Sequence, residues 1–404
     1  MNHAESERLA AQLEYNGYSA APTIEAADLV LINSCVVRES AEKRVLNKLA
    51  NLRVLKTISP SVRLALTGCL VTDDLAGMQR NFPFIDYFFQ AGDRPSIPEL
   101  ENGWQTALLP KANISSFLPV IQGCNNYCSY CIVPYRRGRE KSRLPEEVCA
   151  EARELIARGT REIVLLGQNV DSYHCDLPGN TDLAQLLGDL NKLEGLQRIR
   201  FLTNHPKDMD QRLINAISAL DKVCEHVNLP VQSGDDQILQ RMGRGYTASH
   251  FSELIDRLRR QVPGIAIATD IIVGFPGESE AAFQNTLGIL REIQFDVVHV
   301  AMYSPRPQTQ AAEIFKDDVP PGQKQDRRQR VEALQAEVAT EINARLAGSD
   351  IEVLVEGRRK GRWFGRSRSD KLVFFSDSRD WSGRLATVKI EHTSPWSLRG
   401  SMQK

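Results

Sequence analysis

Apolar residues recur along this chain with two different periods, and the switches between them mark its elements. Over residues 4–16, Leu9, Ala10 and Leu13 share one helical face, and Gly17 supplies a C-terminal stop. Two short apolar runs follow, residues 29–32 and 62–66, which have the length of strands rather than helices. Each runs into a turn that carries a cysteine, Asn33-Ser34-Cys35 and Thr67-Gly68-Cys69. Strands alternating with helices predict a parallel sheet wound on both faces, whose ligand crevice lies at the carboxyl ends of the strands. Both cysteines fall on that edge.

From Phe117 to Pro305 the alternation repeats six times, with strands expected at residues 117–122, 162–167, 198–202, 226–231, 265–273 and 296–302. Helical stretches such as residues 145–158 and 250–261 separate them. Six units are too many for a small open sheet and too few for an eight-fold barrel, so a partial barrel is the economical architecture. Its functional groups belong in the loops of the C-terminal mouth. Residues 322–347 read as a polar helix with Val331, Leu334, Val338, Ile342 and Leu346 along one side. Beyond Gly348, runs at residues 351–355, 372–375 and 385–390 predict a small all-β module. The fold class is therefore α/β with an appended β module, divided at residues 1–105, 113–341 and 344–404.

Composition narrows the functional classes. At 42% hydrophobic and 25% charged residues, the 404-residue chain is globular, neither disordered nor fibrous. It has no apolar run of about 18 residues and no apolar leader at its start, so a soluble, cytoplasmic protein without a membrane contact is expected. A net charge of -1 excludes binding of polyanions by bulk charge, so any nucleic-acid contact needs a local patch.

Eight cysteines are too sparse for a disulfide framework, but three of them, Cys124, Cys128 and Cys131, form a CxxxCxxC loop. Thiolates are soft ligands for zinc or an iron–sulfur cluster. Structural zinc needs four ligands and no fourth follows at zinc-finger spacing, because Cys149 falls inside a predicted helix. A 4Fe-4S cluster on three thiolates leaves one iron open to a substrate, which favours that reading; zinc and three incidental buried thiols are the alternatives.

The stretch from Gly123 to Arg143, GCNNYCSYCIVPYRRGREKSR, sits where a first barrel strand ends and resembles the cluster loop of the radical S-adenosylmethionine (SAM) enzymes, specifically their methylthiotransferases. Further segments are similar to the tRNA-modifying, MiaB-type branch: residues 165–173 (LLGQNVDSY), 204–208 (NHPKD), 229–234 (LPVQSG), 270–278 (DIIVGFPGE) and 303–307 (YSPRP). Together they span essentially the whole chain in the family's order. The resemblance implies a flavodoxin-like N-terminal domain, a partial (β/α)6 radical-SAM barrel and a C-terminal TRAM β-barrel that contacts RNA. It implies an enzyme that cleaves SAM reductively at a cluster on Cys124, Cys128 and Cys131, and uses the 5′-deoxyadenosyl radical to methylthiolate C2 of N6-isopentenyladenosine next to the tRNA anticodon. The same chemistry on a threonylcarbamoyladenosine tRNA or a ribosomal protein is the nearest alternative, and a sulfur-insertion-deficient RNA-binding homologue the next.

At the mouth, Tyr130 stands either on the adenine of SAM or as a core aromatic, while Gln168, Asn169 and Gln232 end strands where amides can hold the cofactor. Glu278 reads as a helix cap. The family's auxiliary 4Fe-4S cluster takes three cysteines of the N-terminal domain, and Cys35 and Cys69 match two of them. The third lies upstream of the segment that Met1 matches, so a start further upstream is expected; otherwise water, a partner or another side chain replaces it, His3 being the candidate weighed against a solvent-exposed terminal histidine. The cofactors expected are thus SAM and two 4Fe-4S clusters, with an electron donor such as flavodoxin or ferredoxin as a partner of a monomer.

Six basic residues between 358 and 368, Arg358, Arg359, Lys360, Arg362, Arg366 and Arg368, interleave with Trp363 and Phe364. From residue 343 onward, 13 Lys and Arg stand against 7 Asp and Glu. Cations beside stackable rings suit RNA, the alternative being a solvated hairpin. A second basic cluster, Arg136, Arg137, Arg139, Lys141 and Arg143, follows the cysteine loop and suits either tRNA phosphates or the charge of the cluster.

Overall fold

A computed structural model describes residues 1–93, 95, 97–101, 108–177, 179 and 181–403. The domain limit expected at residue 105 and the chain end at residue 404 lie outside them.

The first unit comprises α1 (Asn2–Tyr15), β1 (Leu29–Ser34), α2 (Glu39–Ile58), β2 (Arg63–Gly68), α3 (Leu75–Asn81), β3 (Tyr87–Phe88) and α4 (Pro98–Glu101). Its strands pair in parallel in the order β1-β2-β3, with Ser34 opposite Gly68 at the carboxyl end. Leu49, Leu52, Leu64, Leu66 and Phe88 form its core. Sequence reasoning passed over β3, whose two residues are too short to show a period.

The second unit opens with β4 (Ser115–Pro119), the small hairpin β5 (Ile121–Gln122) and β6 (Lys141–Ser142) enclosing α5 (Val133–Arg137), then α6 (Pro145–Ala157) and β7 (Glu162–Leu166). It continues through α7 (Leu183–Asn191), β8 (Arg198–Phe201), α8 (Gln211–Ala219), β9 (His226–Asn228), α9 (Asp236–Arg241), α10 (Ala248–Gln261), β10 (Ala266–Val273), α11 (Glu280–Ile293), β11 (Val297–Met302), α12 (Gln310–Ile314) and α13 (Pro321–Ala344). The six long strands are parallel, in two three-stranded arcs, β4-β7-β8 and β9-β10-β11. A bridge between Ile199 and Val223 and the bond from Asn204 N–H to the Asn228 carbonyl, 3.0 Å, join the arcs. This is the partial six-stranded barrel expected. Helix starts follow from sequence: Asp182, Asp210, Thr247 and Ser279 each accept a hydrogen bond from the backbone amide three residues on. Leu118, Ile163, Leu165, Phe201, Val227, Ile267 and Ile271 fill the interior, each buried apolar side chain contributing about 1.5–3 kcal/mol.

The third unit is a closed barrel of β12 (Asp350–Arg359), β13 (Arg362–Ser367), β14 (Leu372–Ser376), β15 (Leu385–Thr393) and β16 (Leu398–Met402), in the order β12-β13-β14-β16-β15. Closure leaves no free sheet edge. Among the described residues no helix is long and apolar enough to cross a membrane.

The β-barrel seals the floor of the larger barrel, at the amino ends of its strands. Arg198, at the start of β8, donates to the Arg366 carbonyl at 2.6 Å and to Glu352 at 2.9 Å. Arg200 donates to the carbonyls of Ser367 and Arg368, and its Nε pairs with Glu162 at 2.9 Å. Arg368 reaches back to Glu225 and to the Val223 carbonyl, both at 2.6 Å. The buried Arg198 and Arg200, with the half-buried Arg368, fix which end of the barrel stays open.

Candidate functional site

The open end is the carboxyl end of the strands, and there the cysteine loop lies. Gly123 precedes it at φ +83, and an added Cβ would stand 2.1 Å from the Arg139 carbonyl, so only glycine fits. Its N–H donates to the Gln168 side-chain oxygen at 2.7 Å. Asn125 is held by Glu140 through its backbone and side-chain amides, both at 3.1 Å. On the far side, Ser129 N–H donates to the Met242 carbonyl at 2.9 Å and its hydroxyl to the Arg241 carbonyl at 2.7 Å. The loop is thus stitched to β7's end, to β6 and to the turn after α9, which brings Cys124, Cys128 and Cys131 to the mouth.

Burial pushes the Cys124 thiol up, and burial together with Cys128 pushes Cys131 up to about 12. Such thiols stay protonated until a metal displaces the proton, as soft ligands do when a cluster is assembled. Among the described residues no three His, Cys, Asp or Glu side chains close into a cage for one metal ion.

Among the described residues, buried polar atoms without a partner include Asn126 Nδ2 within the loop and, around it, Asn169 Oδ1, His205 Nε2 and Gln232 Oε1. The latter three follow three consecutive strands, β7, β8 and β9. Gln232 is held at φ +72, its backbone bridging to Ile271 of β10. Asn169 donates to Asp208 at 2.7 Å. His205 accepts from Lys207 N–H at Nδ1, 3.2 Å, so its proton sits on Nε2; burial, with Arg244 and Lys207 nearby, holds its pKa down at about 2. Asp171, half-buried, accepts from Asn204 and from His205 N–H, and desolvation pushes it up to about 7. Orphaned donors and acceptors of this kind are what a polar ligand satisfies.

The cysteines of the first unit face the same opening. Arg38, three residues past Cys35, pairs with Asp270 of β10 at 3.5 Å, and Arg306 binds the Val36 carbonyl and, at 2.7 Å, Glu42. Arg137, on the helix that follows Cys131, pairs with Glu5 and donates to Asn2 Oδ1 at 3.0 Å. Burial pushes the Cys69 thiol up, opposed by Arg137.

The remaining expectations sort by placement. Tyr130 is half-buried in an apolar cluster, its ring edge-on to Phe275 at 6.5 Å. Gln168 uses its oxygen on the loop rather than presenting it to the cavity. Trp363 is 8% exposed inside the β-barrel, with its Nε1 bonded to the Asp377 carbonyl, so the base-stacking role read from its spacing is not available to it. Arg368 is likewise engaged in the floor ion pair, and Arg366 pairs with Asp370 at 3.3 Å. Arg358, Arg359, Lys360 and Arg362 stay exposed at the β12–β13 tip. Glu278 binds the Gly274 amide and the buried Arg327, a structural role. Sequence reasoning missed His205, Asp171, Arg244 and the latch of Arg38 and Arg306; the sequence signal for His205, Asp171 and Arg306 was membership of the segments 204–208, 165–173 and 303–307, and Arg38 and Arg244 lie in none of the quoted segments. Tyr127 and Tyr135 were missed as a pair: both are exposed, ring centroids 6.1 Å apart at 90°, at the rim beside exposed Arg139 and Lys141.

Comparison with known proteins gives this geometry a family. Residues 118–290 match the radical SAM superfamily, residues 1–90 "Uncharacterized protein family UPF0004", and residues 344–402 the TRAM domain. A tRNA-2-methylthio-N(6)-dimethylallyladenosine synthase of Dehalococcoides mccartyi is 51% identical over 404 residues, covering the whole chain and 96% of that protein. The chain belongs to the tRNA-2-methylthio-N(6)-dimethylallyladenosine synthase family. Further synthases of that name, from Roseiflexus sp. and Thermoanaerobacter pseudethanolicus, are 44% and 41% identical over the whole chain, which covers 88% and 90% of them. The fold is also that of a radical S-adenosylmethionine methyltransferase, TsrM, from Kitasatospora setae, with a TM-score of 0.52 at 15% identity over 87% of this chain and 71% of that one.

Membership of the synthase family implies a 4Fe-4S cluster and SAM, and the mouth fits both. Cys124, Cys128 and Cys131 supply three soft donors, and the unpartnered Asn169, His205 and Gln232 supply polar contacts for a zwitterionic nucleoside. The first unit carries two further free thiols, Cys35 and Cys69.

Proposed function

We propose that the chain methylthiolates N6-isopentenyladenosine at C2 in tRNA, next to the anticodon, through radical-SAM chemistry. The observation that carries this reading is the trio of thiols held at the barrel mouth of a chain that matches named synthases end to end. A cluster on Cys124, Cys128 and Cys131 would supply the electron that cleaves SAM. The chain's own residues do the rest. Glu140, Gln168 and Ser129 fix the loop, while the neutral His205 presents a donor and Asn169 and Gln232 present acceptors into the cavity. Tyr127 and Tyr135 offer exposed rings, and Arg139, Lys141 and Lys207 cations, to a single-stranded anticodon loop at the rim. The exposed tip Arg358, Arg359, Lys360 and Arg362 gives the β-barrel a phosphate-binding surface at the opposite end.

Cys35 and Cys69 bind a second, auxiliary cluster with a further donor from outside this pair, and the Arg137 charge lies near enough to Cys69 to favour its thiolate. The enzyme acts in the cytoplasm as a monomer, reduced by a flavodoxin- or ferredoxin-type donor. Nucleoside mass spectrometry of isopentenylated tRNA, incubated anaerobically with the iron- and sulfide-reconstituted chain, SAM and reductant, tests the reading. A 2-methylthio product is expected; methylthiolation of threonylcarbamoyladenosine tRNA or of a ribosomal protein instead would overturn the substrate assignment.

A further inference from the structure

Arg244 is a buried cation at the barrel mouth without a carboxylate. It is 5% exposed, and among the described residues no ion pair includes it. Its nitrogens go elsewhere: Nε donates to the Tyr246 hydroxyl at 2.8 Å, Nη2 to the Pro230 carbonyl at 3.0 Å, and Nη1 to Cys128 Sγ at 3.3 Å. Burying a guanidinium without a counter-charge is unfavourable even when its hydrogen bonds are met. Of its three partners, only the sulfur becomes an anion when a metal replaces its proton.

The backbone is arranged to hold this contact. Gly243 and Gly245 flank Arg244, both at φ +70, a conformation that other residues adopt only under strain. The segment before it accepts two hydrogen bonds from Ser129, the neighbour of Cys128. A Cβ on Gly243 would stand 3.9 Å from the Cys128 Cα, so the turn packs directly on the cysteine loop.

We infer that Arg244 is the counter-cation of the barrel cluster: its guanidinium hydrogen-bonds the Cys128 thiolate and raises the cluster's reduction potential. This rests on the reading that Cys124, Cys128 and Cys131 hold a 4Fe-4S cluster. Reduction adds one electron from a low-potential donor to a site already negative from its thiolates. A fixed positive charge at hydrogen-bond distance favours the reduced form, because cluster potentials follow net charge, burial and hydrogen bonds to sulfur. Arg244 is thus a positioning and tuning residue, acting through Cys128.

The test uses the full chain carrying C35A and C69A, so that only the barrel cluster contributes, with dithionite as the reductant and the potential followed by electron paramagnetic resonance. Arg244→Gln should take up iron like its parent and shift the reduction equilibrium at least tenfold towards the oxidised form, about 59 mV for a one-electron couple. Arg244→Lys, which keeps the charge, should shift it less. An unchanged potential in Arg244→Gln, or equal shifts in both variants, would overturn the inference. Should Arg244→Gln fail to assemble a cluster, the parent labelled with 15N-arginine decides instead: a weak 15N coupling to the reduced cluster is expected, and its absence contradicts the contact. A parent that takes up no iron removes the reading of the site, and this inference with it.

Discussion

Replacing Arg200 by methionine probes the joint between the two barrels. Arg200 and Glu162 have side chains 3% and 4% exposed, with Nε and Oε2 2.9 Å apart. Without the guanidinium, Glu162 keeps only the Ser115 hydroxyl at 2.8 Å, the Arg368 carbonyl loses its donor, and the Ser367 carbonyl is left with the Asp370 N–H at 3.1 Å. Breaking a buried pair from one side typically costs about 3–5 kcal/mol, and each orphaned carbonyl about 1–3 kcal/mol. Only part of the second contribution applies, because water can reach the half-exposed turn around Arg368. A loss of about 3–5 kcal/mol is therefore expected. Since the joint links two units, it should split one denaturant transition into two and raise hydrogen exchange in residues 366–370 and in β7 and β8. The double variant E162Q/R200M, with both charges gone, should recover at least half of the loss. A loss below about 1 kcal/mol with unchanged exchange would show that the pair is solvated and the argument wrong.

The remaining expectations follow from other parts of the molecule. Tyr127→Ala and Tyr135→Ala should each weaken binding of an anticodon stem-loop by about 5- to 150-fold, the equivalent of about 1–3 kcal/mol per stacked base, with iron content unchanged; equal affinity measured by fluorescence anisotropy would remove RNA from the rim. Neutralising Arg358, Arg359, Lys360 and Arg362 together should flatten the salt dependence of tRNA affinity while leaving the melting temperature alone, whereas Trp363→Ala, which empties a core position, should cost about 3–5 kcal/mol of stability. His205 has its pKa depressed from 6.5 to about 2, so the unfolded chain binds the extra proton as pH falls below 6.5. Stability of the metal-free chain should therefore drop by about 1.4 kcal/mol per pH unit below that point, and His205→Gln should remove this contribution; identical acid profiles would count against a buried neutral histidine.

Much of the fold was legible because long periodic segments carry their own signal. The six barrel strands appear within a few residues of their expected places, as do α13 and three strands of the β-barrel. Elements too short to show a period were not legible, such as β3 and the β5–β6 hairpin. The strand β13 was masked for another reason: its basic residues and Trp363 look the same in sequence whether the ring faces a core or a base, and only the alternation of burial along residues 362–367 separates the two. The cysteine trio was readable from spacing alone. Arg244, His205 and Arg306 were not, since each reaches the mouth from a different strand's end, and that convergence is a property of the barrel and not of any local pattern.

The central claim is that Cys124, Cys128 and Cys131 jointly hold the centre that cleaves SAM. The most direct measurement is the amount of 5′-deoxyadenosine released from SAM by the reconstituted, reduced chain and by its Cys128→Ala form. Release by the first and none above background by the second is the expected result; undiminished release after losing the sulfur that Arg244 touches would contradict the account.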